Sequence, residues 1–286
     1  MSRYKIAGMF LVFASFLGCN KEEPIPAYIH IDDFTLTTNY STQGSASHKI
    51  LDAWIYIDDQ FVGAFEMPCT VPVLFEGPHT LKVLPGVMEN GISETRLPYP
   101  FYDRYVQSVD LVAGQILDTD PVTVYSQSAD LDWIEDYEGL AHGFCTNSGL
   151  GDPDTVMKIF IAPDPAVFEL NGSGGVVLGS GVYFGETCNK YVLPKGGAAV
   201  FLELNYNCNT DFNVGLRGYS GSSLQSQGIA LTLRPTSGEW KKVYVNLTQE
   251  VGGATTSGTF SVFFSFVKAP ALSESFVYLD NIKLIN

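Results

Sequence analysis

Three stretches of the chain alternate polar and apolar residues with a period of two, and their polar phase carries the side chains that could do chemistry. In Val200 to Tyr206, the residues Phe201, Glu203 and Asn205 oppose Val200, Leu202, Leu204 and Tyr206. Further on, Asn213 and Arg217 oppose Phe212, Val214 and Leu216, and Lys242, Tyr244 and Asn246 oppose Val243, Val245 and Leu247. A strand turns successive side chains to opposite faces, so each stretch offers one face to a core and one to something polar. Were the three strands to line one sheet, Glu203, Asn205, Asn213, Arg217, Tyr244 and Asn246 would converge on it. Carboxylate, amide and guanidinium groups beside an aromatic ring suit a sugar. Its hydroxyls take paired hydrogen bonds and its C–H face stacks on the ring. A solvated sheet face shows the same alternation, so the pattern marks candidates for ligand binding and no more.

Catalytic signatures are missing. There is no Gly-x-Ser-x-Gly, His-Glu-x-x-His, Cys-x-x-Cys or P-loop, and the 4 histidines have no metal-ligand spacing. Gly172-Ser173-Gly174-Gly175 lacks the glycine spacing of a dinucleotide loop. The 31 acidic residues offer many candidate carboxylate pairs, but nothing singles one out. The expectation is a protein that is not an enzyme and requires no cofactor.

The elements that must position the polar residues follow an N-terminal leader. Arg3 and Lys5 precede an apolar run from Ile6 to Leu17. That run is too short to span a bilayer, which takes ~20 residues, and right for a secretory signal. Leu17-Gly18-Cys19 resembles the bacterial lipobox, which implies a leader over 1–18, lipidation of Cys19 and membrane attachment through its acyl chains over a tether at 19–27. More than one chain is needed for stable anchoring. Lys21, Glu22 and Glu23 resemble the export tag of surface lipoproteins from Bacteroidota, which implies an outer-membrane protein facing the cell exterior; a solvated charged tether accounts for them equally. Pro24 and Pro26 stiffen the spacer.

The net charge is −15, and Arg3 and Lys5 would leave with the leader. So acidic a surface repels phosphate backbones, so nucleic acid is excluded as a natural partner. Beyond Cys19 the cysteines are Cys69, Cys145, Cys188 and Cys208, which allow three pairings. Cys188–Cys208 is the preferred bridge, because the two flank adjacent strand-like runs; four free buried thiols are the alternative.

With 286 residues, 45% of them hydrophobic and 16% charged, the chain reads as two all-β units. The first covers 28–127. Ala53 to Gly63 reads as strand, Asp58-Asp59 turn, strand, followed by Pro68, Pro72 and Gly77-Pro78-His79-Thr80-Leu81-Lys82-Val83. This order resembles the PEGA-type module, a small β-sandwich without chemistry of its own, and implies a structural place for His79. Tyr99, Phe101, Tyr102 and Tyr105 form either an exposed aromatic loop for glycan or protein contact or a small satellite core.

The second unit covers 128–286, with short alternating strands separated by Gly, Ser and Asn turns and almost no helical periodicity, which argues a β-sandwich. Its opening Glu135-Asp136-Tyr137-Glu138-Gly139, its Trp240-Lys241-Lys242-Val243-Tyr244 and its closing Leu279-Asp280-Asn281-Ile282-Lys283-Leu284 resemble the galactose-binding-like jelly roll of carbohydrate-binding modules. The resemblance implies a glycan ligand and a structural calcium held by Glu138 and Asp280, since hard oxygens from the two termini suit Ca²⁺; a hydrogen-bonded strand terminus is the plainer account. The alternative function is an accessory subunit of an outer-membrane secretion, gliding or uptake complex, with an outer-membrane protein as partner. Fold alone does not decide between them.

Overall fold

The structure is a computed structural model that describes residues 23–146, 155–255 and 258–286. The expected leader over 1–18, with Cys19, Lys21 and Glu22, lies outside the described residues, and Glu23 is exposed. Two sets of sheets follow, none of which mixes strands from the two halves of the chain.

The first set contains β1 (Ala27–Ile31), β2 (Thr35–Thr37), β3 (Asp52–Ile57), β4 (Gln60–Glu66), β5 (Cys69–Val73), β6 (Gly77–Met88), β7 (Arg96–Pro98), β8 (Tyr105–Leu111), β9 (Ile116–Thr119) and β10 (Val122–Val124), with one short helix α1 (Tyr40–Gln43). One sheet runs β5-β1-β9 and a facing one β4-β3-β6-β7, with β8 also on β6. Ile29, Ile31, Val71 and Val73 pack against Ile55, Ile57, Leu81 and Val83 between them. The β3–β4 turn is the two-residue Asp58-Asp59 link, both with positive φ (47° and 64°). This is the twist that a tight hairpin needs and that Asp tolerates better than most residues. His79 Nδ1 lies 2.6 Å from Asp58 Oδ2, and Thr80 N donates to Asp58 Oδ1 at 2.8 Å. His79 therefore serves the turn.

The second set is a β-sandwich. Its strands are β11 (Leu131–Glu135), β12 (Phe144–Thr146), β13 (Lys158–Ile161), β14 (Gly172–Leu178), β15 (Val182–Thr187), β16 (Phe201–Cys208), β17 (Phe212–Ser220), β18 (Ser223–Leu233), β19 (Lys241–Asn246), β20 (Thr259–Val267) and β21 (Ser275–Ile285), with helix α2 (Thr248–Gly253). The inner sheet runs β13-β14-β21-β16-β19, with β11 also on β21, and the outer sheet β12-β15-β20-β17-β18. Every pairing in both sheets is antiparallel. Between the sheets lie the apolar phases named above: Leu202, Leu204, Val214, Leu216, Val243 and Val245, joined by Val262, Phe264, Leu279 and Leu284.

The disulfide expectation needs correcting. The bridge joins Cys145 to Cys188, with Cα atoms 5.0 Å apart, while Cys208 is a buried free thiol donating to Arg234 O at 3.3 Å. Strand pairing is the reason. The β15 strand leading to Cys188 pairs with β12, where Cys145 stands opposite Glu186. Cys208 ends a strand of the opposite sheet. Cys69 is free as well.

The two units share a core. All eight residues of β16 are buried, because one face meets the sandwich interior and the other meets the first unit. Phe201, Tyr244 and Ile285 belong to the first unit's apolar cluster, and Tyr99 packs its ring 5.4 Å from Phe201 and 4.8 Å from Tyr244. Tyr99, Phe101 and Tyr102 are thus interior residues, with exposures of 2%, 6% and 6%, and not an exposed contact loop. Lys283, fully buried, donates to Ser45 O (2.6 Å) and to the Tyr125 hydroxyl (3.1 Å). Burial lowers its pKa to about 7, against a partial lift from Glu203.

Three expectations follow for solution measurements. Non-reducing peptide mapping should recover a Cys145–Cys188 link with Cys69 and Cys208 alkylated; a Cys188–Cys208 peptide would refute the pairing. Calorimetry of the whole described chain should give one unfolding transition, and residues 128–286 alone, which would expose Phe201, Tyr244 and Ile285, should aggregate; two separate transitions would contradict the shared core. For Lys283, the unfolded chain binds more protons than the fold between pH 7 and its ordinary 10.5. Its burial penalty is therefore complete below pH 7 and is relieved as pH rises. Wild type should gain Tm relative to Lys283→Met between pH 7 and 9.5, and parallel profiles would count against it.

Candidate functional site

The structure divides the six polar candidates between two sheets. Glu203, Asn205, Tyr244 and Asn246 lie on the inner sheet, on the face that the first unit covers. Glu203 Oε2 accepts from the Tyr125 hydroxyl at 3.0 Å and lies 3.2 Å from Lys242 Nζ. Asn205 Oδ1 accepts from Ser47 Oγ at 2.9 Å. The Tyr244 hydroxyl accepts from Lys49 N at 2.9 Å, and Asn246 Nδ2 donates to Glu89 Oε1 at 2.6 Å. The partners are amides, carboxylates and hydroxyls, as expected from the residue types, but they come from the same chain. These four residues join the two units.

Asn213 and Arg217 sit on β17 in the outer sheet, on its outward face. They are separated from the other four because the chain crosses from one sheet to the other between β16 and β17. The structure gives Arg217 and Asn213 companions that the alternation of β16, β17 and β19 did not reveal. Arg217 Nη1 donates to Glu186 Oε1 at 2.9 Å, and Glu186 Oε2 accepts from the Tyr219 hydroxyl and from Ser261 Oγ, both at 2.6 Å. The guanidinium stands 5.3 Å from the Phe184 ring centre and 5.8 Å from that of Tyr219. Lys190 Nζ lies over the Tyr219 ring at 3.5 Å from its centre. Phe184 in turn stacks on Phe263, with ring centres 5.1 Å apart and planes 19° apart.

The sequence positions the face through two local features. Phe184 and Glu186 share the outward phase of β15, as do Ser261, Phe263 and Ser265 on β20. Gly215 leaves the space that the Phe263 ring fills, since a Cβ there would lie 2.5 Å from the ring edge and 2.1 Å from Gly228 O. This is a close approach that only glycine permits. Alternation in 182–187 and 261–265 carries the signal by which these residues were findable.

Chemically, the centre of this face is a neutralised ion pair. Glu186 uses both oxygens on Arg217, Tyr219 and Ser261, so it is not arranged as a general base or nucleophile. Burial, followed by the Glu186 hydrogen bond, raises the Tyr219 hydroxyl to about 12, so it remains protonated. Arg217 Nε is buried without a hydrogen-bond partner. Around this centre lie polar groups closer to solvent. Asn213 accepts from Thr232 Oγ1 at 2.7 Å and donates to Ser265 Oγ at 3.4 Å; Gln225, Gln227 and Thr232 on the edge strand β18 are exposed. A cleft of about 270 Å³ opens at the Asn213 and Ser265 end, bordered by Asp211 and Val267. Such a face can offer amide and hydroxyl hydrogen bonds beside apolar surface.

Glu138 and Asp280 are neighbours across β14, bringing the two termini of the second unit together. Glu138 accepts from the backbone N–H groups of Asn171 and Gly172, both at 3.0 Å, and from Asn171 Nδ2. Asp280 accepts from Ser173 Oγ at 2.6 Å and from Asn281 N at 2.7 Å. Burial raises its pKa to about 7. A Ca²⁺ ion takes 6–8 oxygen ligands. Here the carboxylates face N–H and O–H donors, and no group of three or more His, Cys, Asp or Glu able to hold a metal occurs among the described residues. The donor set does not fit the ion and forms a hydrogen-bonded clasp.

No protein-family model matches the chain, and no curated protein does. Among solved structures, it is similar to one described by the promiscuous specificity of carbohydrate-binding modules from the β-sandwich superfamily, at 12% identity over 82% of this chain and 85% of that one, TM-score 0.38. It is also similar to a family 29 carbohydrate-binding module from Piromyces equi, at 17% identity over 55% and 91%, TM-score 0.36. A third is the K1 cleaved adhesin domain of Lys-gingipain from Porphyromonas gingivalis, at 14% identity over 53% and 96%, TM-score 0.36. At such identities and TM-scores these likenesses assign nothing to the chain beyond what its own strands show.

Proposed function

We propose that this chain is a lipid-anchored surface protein whose second unit is a non-catalytic glycan-binding module, working through the outward face of its outer sheet. The observation that carries the reading is the contrast between the two sheets. The inner sheet's polar face is occupied by the first unit. The outer sheet combines the ordered Arg217–Glu186–Tyr219 centre with amides and hydroxyls at its rim and a cleft beside them. Sugar hydroxyls are both donors and acceptors, and Asn213, Gln225, Gln227, Ser265 and Thr232 are groups that serve both roles. Ligand orientation needs few such groups when they are rigidly held, and β17, β18 and β20 hold them.

Attachment through Cys19 and outward display by Lys21, Glu22 and Glu23 are part of the same proposal. The exposed residues 23–25 leading into β1 leave a route for such a tether. The accessory-subunit alternative has less support, because Tyr99, Phe101 and Tyr102, three of the four aromatic residues offered as its contact, are buried, while Tyr105 on β8 is half-buried.

Affinity electrophoresis of residues 23–286 through gels of neutral plant and microbial polysaccharides tests the binding. At least one polymer should retard the protein, and the double substitution Asn213→Ala, Gln227→Ala should reduce retardation about tenfold in apparent affinity, equivalent to ~1.4 kcal/mol. Unretarded migration on every polymer would reject the reading.

A further inference from the structure

A second cleft, of about 370 Å³, opens where the two units meet at the edge of the sandwich. Its walls come from edge strand β18 of the outer sheet, edge strand β19 of the inner sheet and the turn after β6 that carries Asn90 to Ile92, with Lys49 from the segment before β3 and Tyr206 from β16. The sandwich is open here because β18 and β19 are the terminal strands of their sheets. The first unit closes one side: Asn90 N donates to Tyr244 O at 2.8 Å, and Asn246 N donates to Asn90 Oδ1 at 2.9 Å. The walls are thus joined by hydrogen bonds.

The lining has two chemistries. Tyr206, Leu231, Leu233 and Val243 supply an apolar floor, and Lys49, Arg234, Lys241 and Lys242 supply the cations. Among the described residues no Asp or Glu lines the cleft, although the chain has 31 acidic residues against 16 basic ones. Four cations thus border one concavity of an acidic protein: Arg234 and Lys242 each have a carboxylate partner just outside the lining, which leaves Lys49 and Lys241 as the charges available to a ligand, and low-dielectric walls strengthen the field of such charges.

The cations are unequally compensated. Arg234 is paired with Asp211 at the exposed edge. Lys242 is buried, and its Nζ lies 3.2 Å from a Glu203 oxygen that already accepts from Tyr125, without making a hydrogen bond of its own. Lys49 and Lys241 are exposed and form no salt bridge among the described residues. The position of Lys49 is fixed by its backbone N–H, which donates to the Tyr244 hydroxyl.

We infer that this cleft is a separate binding site for an acidic sugar residue, a uronate, with its pyranose face over the apolar floor and its carboxylate against Lys49 and Lys241. The floor selects a ligand with a C–H face, which a bare inorganic anion lacks. The cations select a carboxylate over a neutral sugar through charge-assisted hydrogen bonds. The volume lies within the range of small-ligand sites. The inference shares with the outer-sheet proposal only that the ligand is a saccharide. The two sites use different side chains, so either can fail without the other.

Isothermal titration of residues 23–286 with trigalacturonate, against the neutral galactotriose, tests this directly. Trigalacturonate should bind, weaken as salt is raised because exposed charges are screened, and lose about tenfold or more in affinity in the double variant Lys49→Gln, Lys241→Gln. Both lysines are exposed, so circular dichroism and Tm should stay at wild-type values. The Asn213→Ala, Gln227→Ala variant should bind trigalacturonate as wild type does. Absence of trigalacturonate binding, equal affinity for galactotriose, competition by phosphate at equal affinity, or an unchanged Kd in the lysine variant would each overturn the assignment.

Discussion

The burial of one strand on both faces constrains the rest of this molecule. In β16, Leu202 and Leu204 fill the sandwich, while Phe201, Glu203 and Asn205 point into the first unit. Glu203 is the centre of that contact. Across the ladder it stands opposite Tyr244 on one side and Lys283 on the other, with Lys242 and the Tyr125 hydroxyl at its carboxylate. A buried ion pair recovers its desolvation cost only when geometry and further hydrogen bonds are good, whereas loss of one partner leaves an uncompensated charge, at about 3–5 kcal/mol. The first unit supplies the Tyr125 hydroxyl to Glu203 and Ser45 O to Lys283, while Glu203 Oε1 and Lys242 Nζ have no hydrogen-bond partner among the described residues. The units are therefore mutually dependent, and the first is more than a spacer.

This constraint decides which surfaces stay open. With the inner sheet's polar face closed, the outward face of the outer sheet and the seam between the units are the surfaces on which the proposed binding rests. The outer sheet carries a centre in which Glu186 accepts from Arg217, Tyr219 and Ser261, while Arg217 Nε has no hydrogen-bond partner among the described residues. The seam carries the opposite arrangement, cations with few partners. One molecule thus presents a neutral hydroxyl-matching face and a cationic cleft a short way around the edge strand β18, which borders both.

The phase of every stretch that was read for chemistry is correct: Leu202, Leu204, Val214, Leu216, Val243 and Val245 do face the core, and the opposite phases face away from it. The Asp58-Asp59 turn was legible because turn geometry is local, whereas the structural place of His79 was implied by the resemblance to the PEGA-type module. The grouping of the six polar residues was not legible. Alternation states which way a side chain points relative to its own strand and is silent about which sheet that strand joins. Asn213 is only a few residues beyond Asn205, yet the crossing between β16 and β17 sends the two to opposite outer faces. Cys188 met Cys145 rather than Cys208 for the same reason.

By itself, then, the amino-acid order determined the all-β class, the strand phases, the tight turns and the division into two sets of strands, since each depends on contacts or periodicities within a few residues. The proposed leader and lipidation at Cys19 rest on sequence motifs alone, outside the described residues. Only the tertiary structure decided that Glu203, Asn205, Tyr244 and Asn246 would join the units and that Glu186 and Tyr219 would complete Arg217. It alone brought Lys49 beside Lys241. These outcomes depend on which strand edges pair and which faces are covered. Such long-range choices are set by the summed burial of many side chains and not by any local pattern.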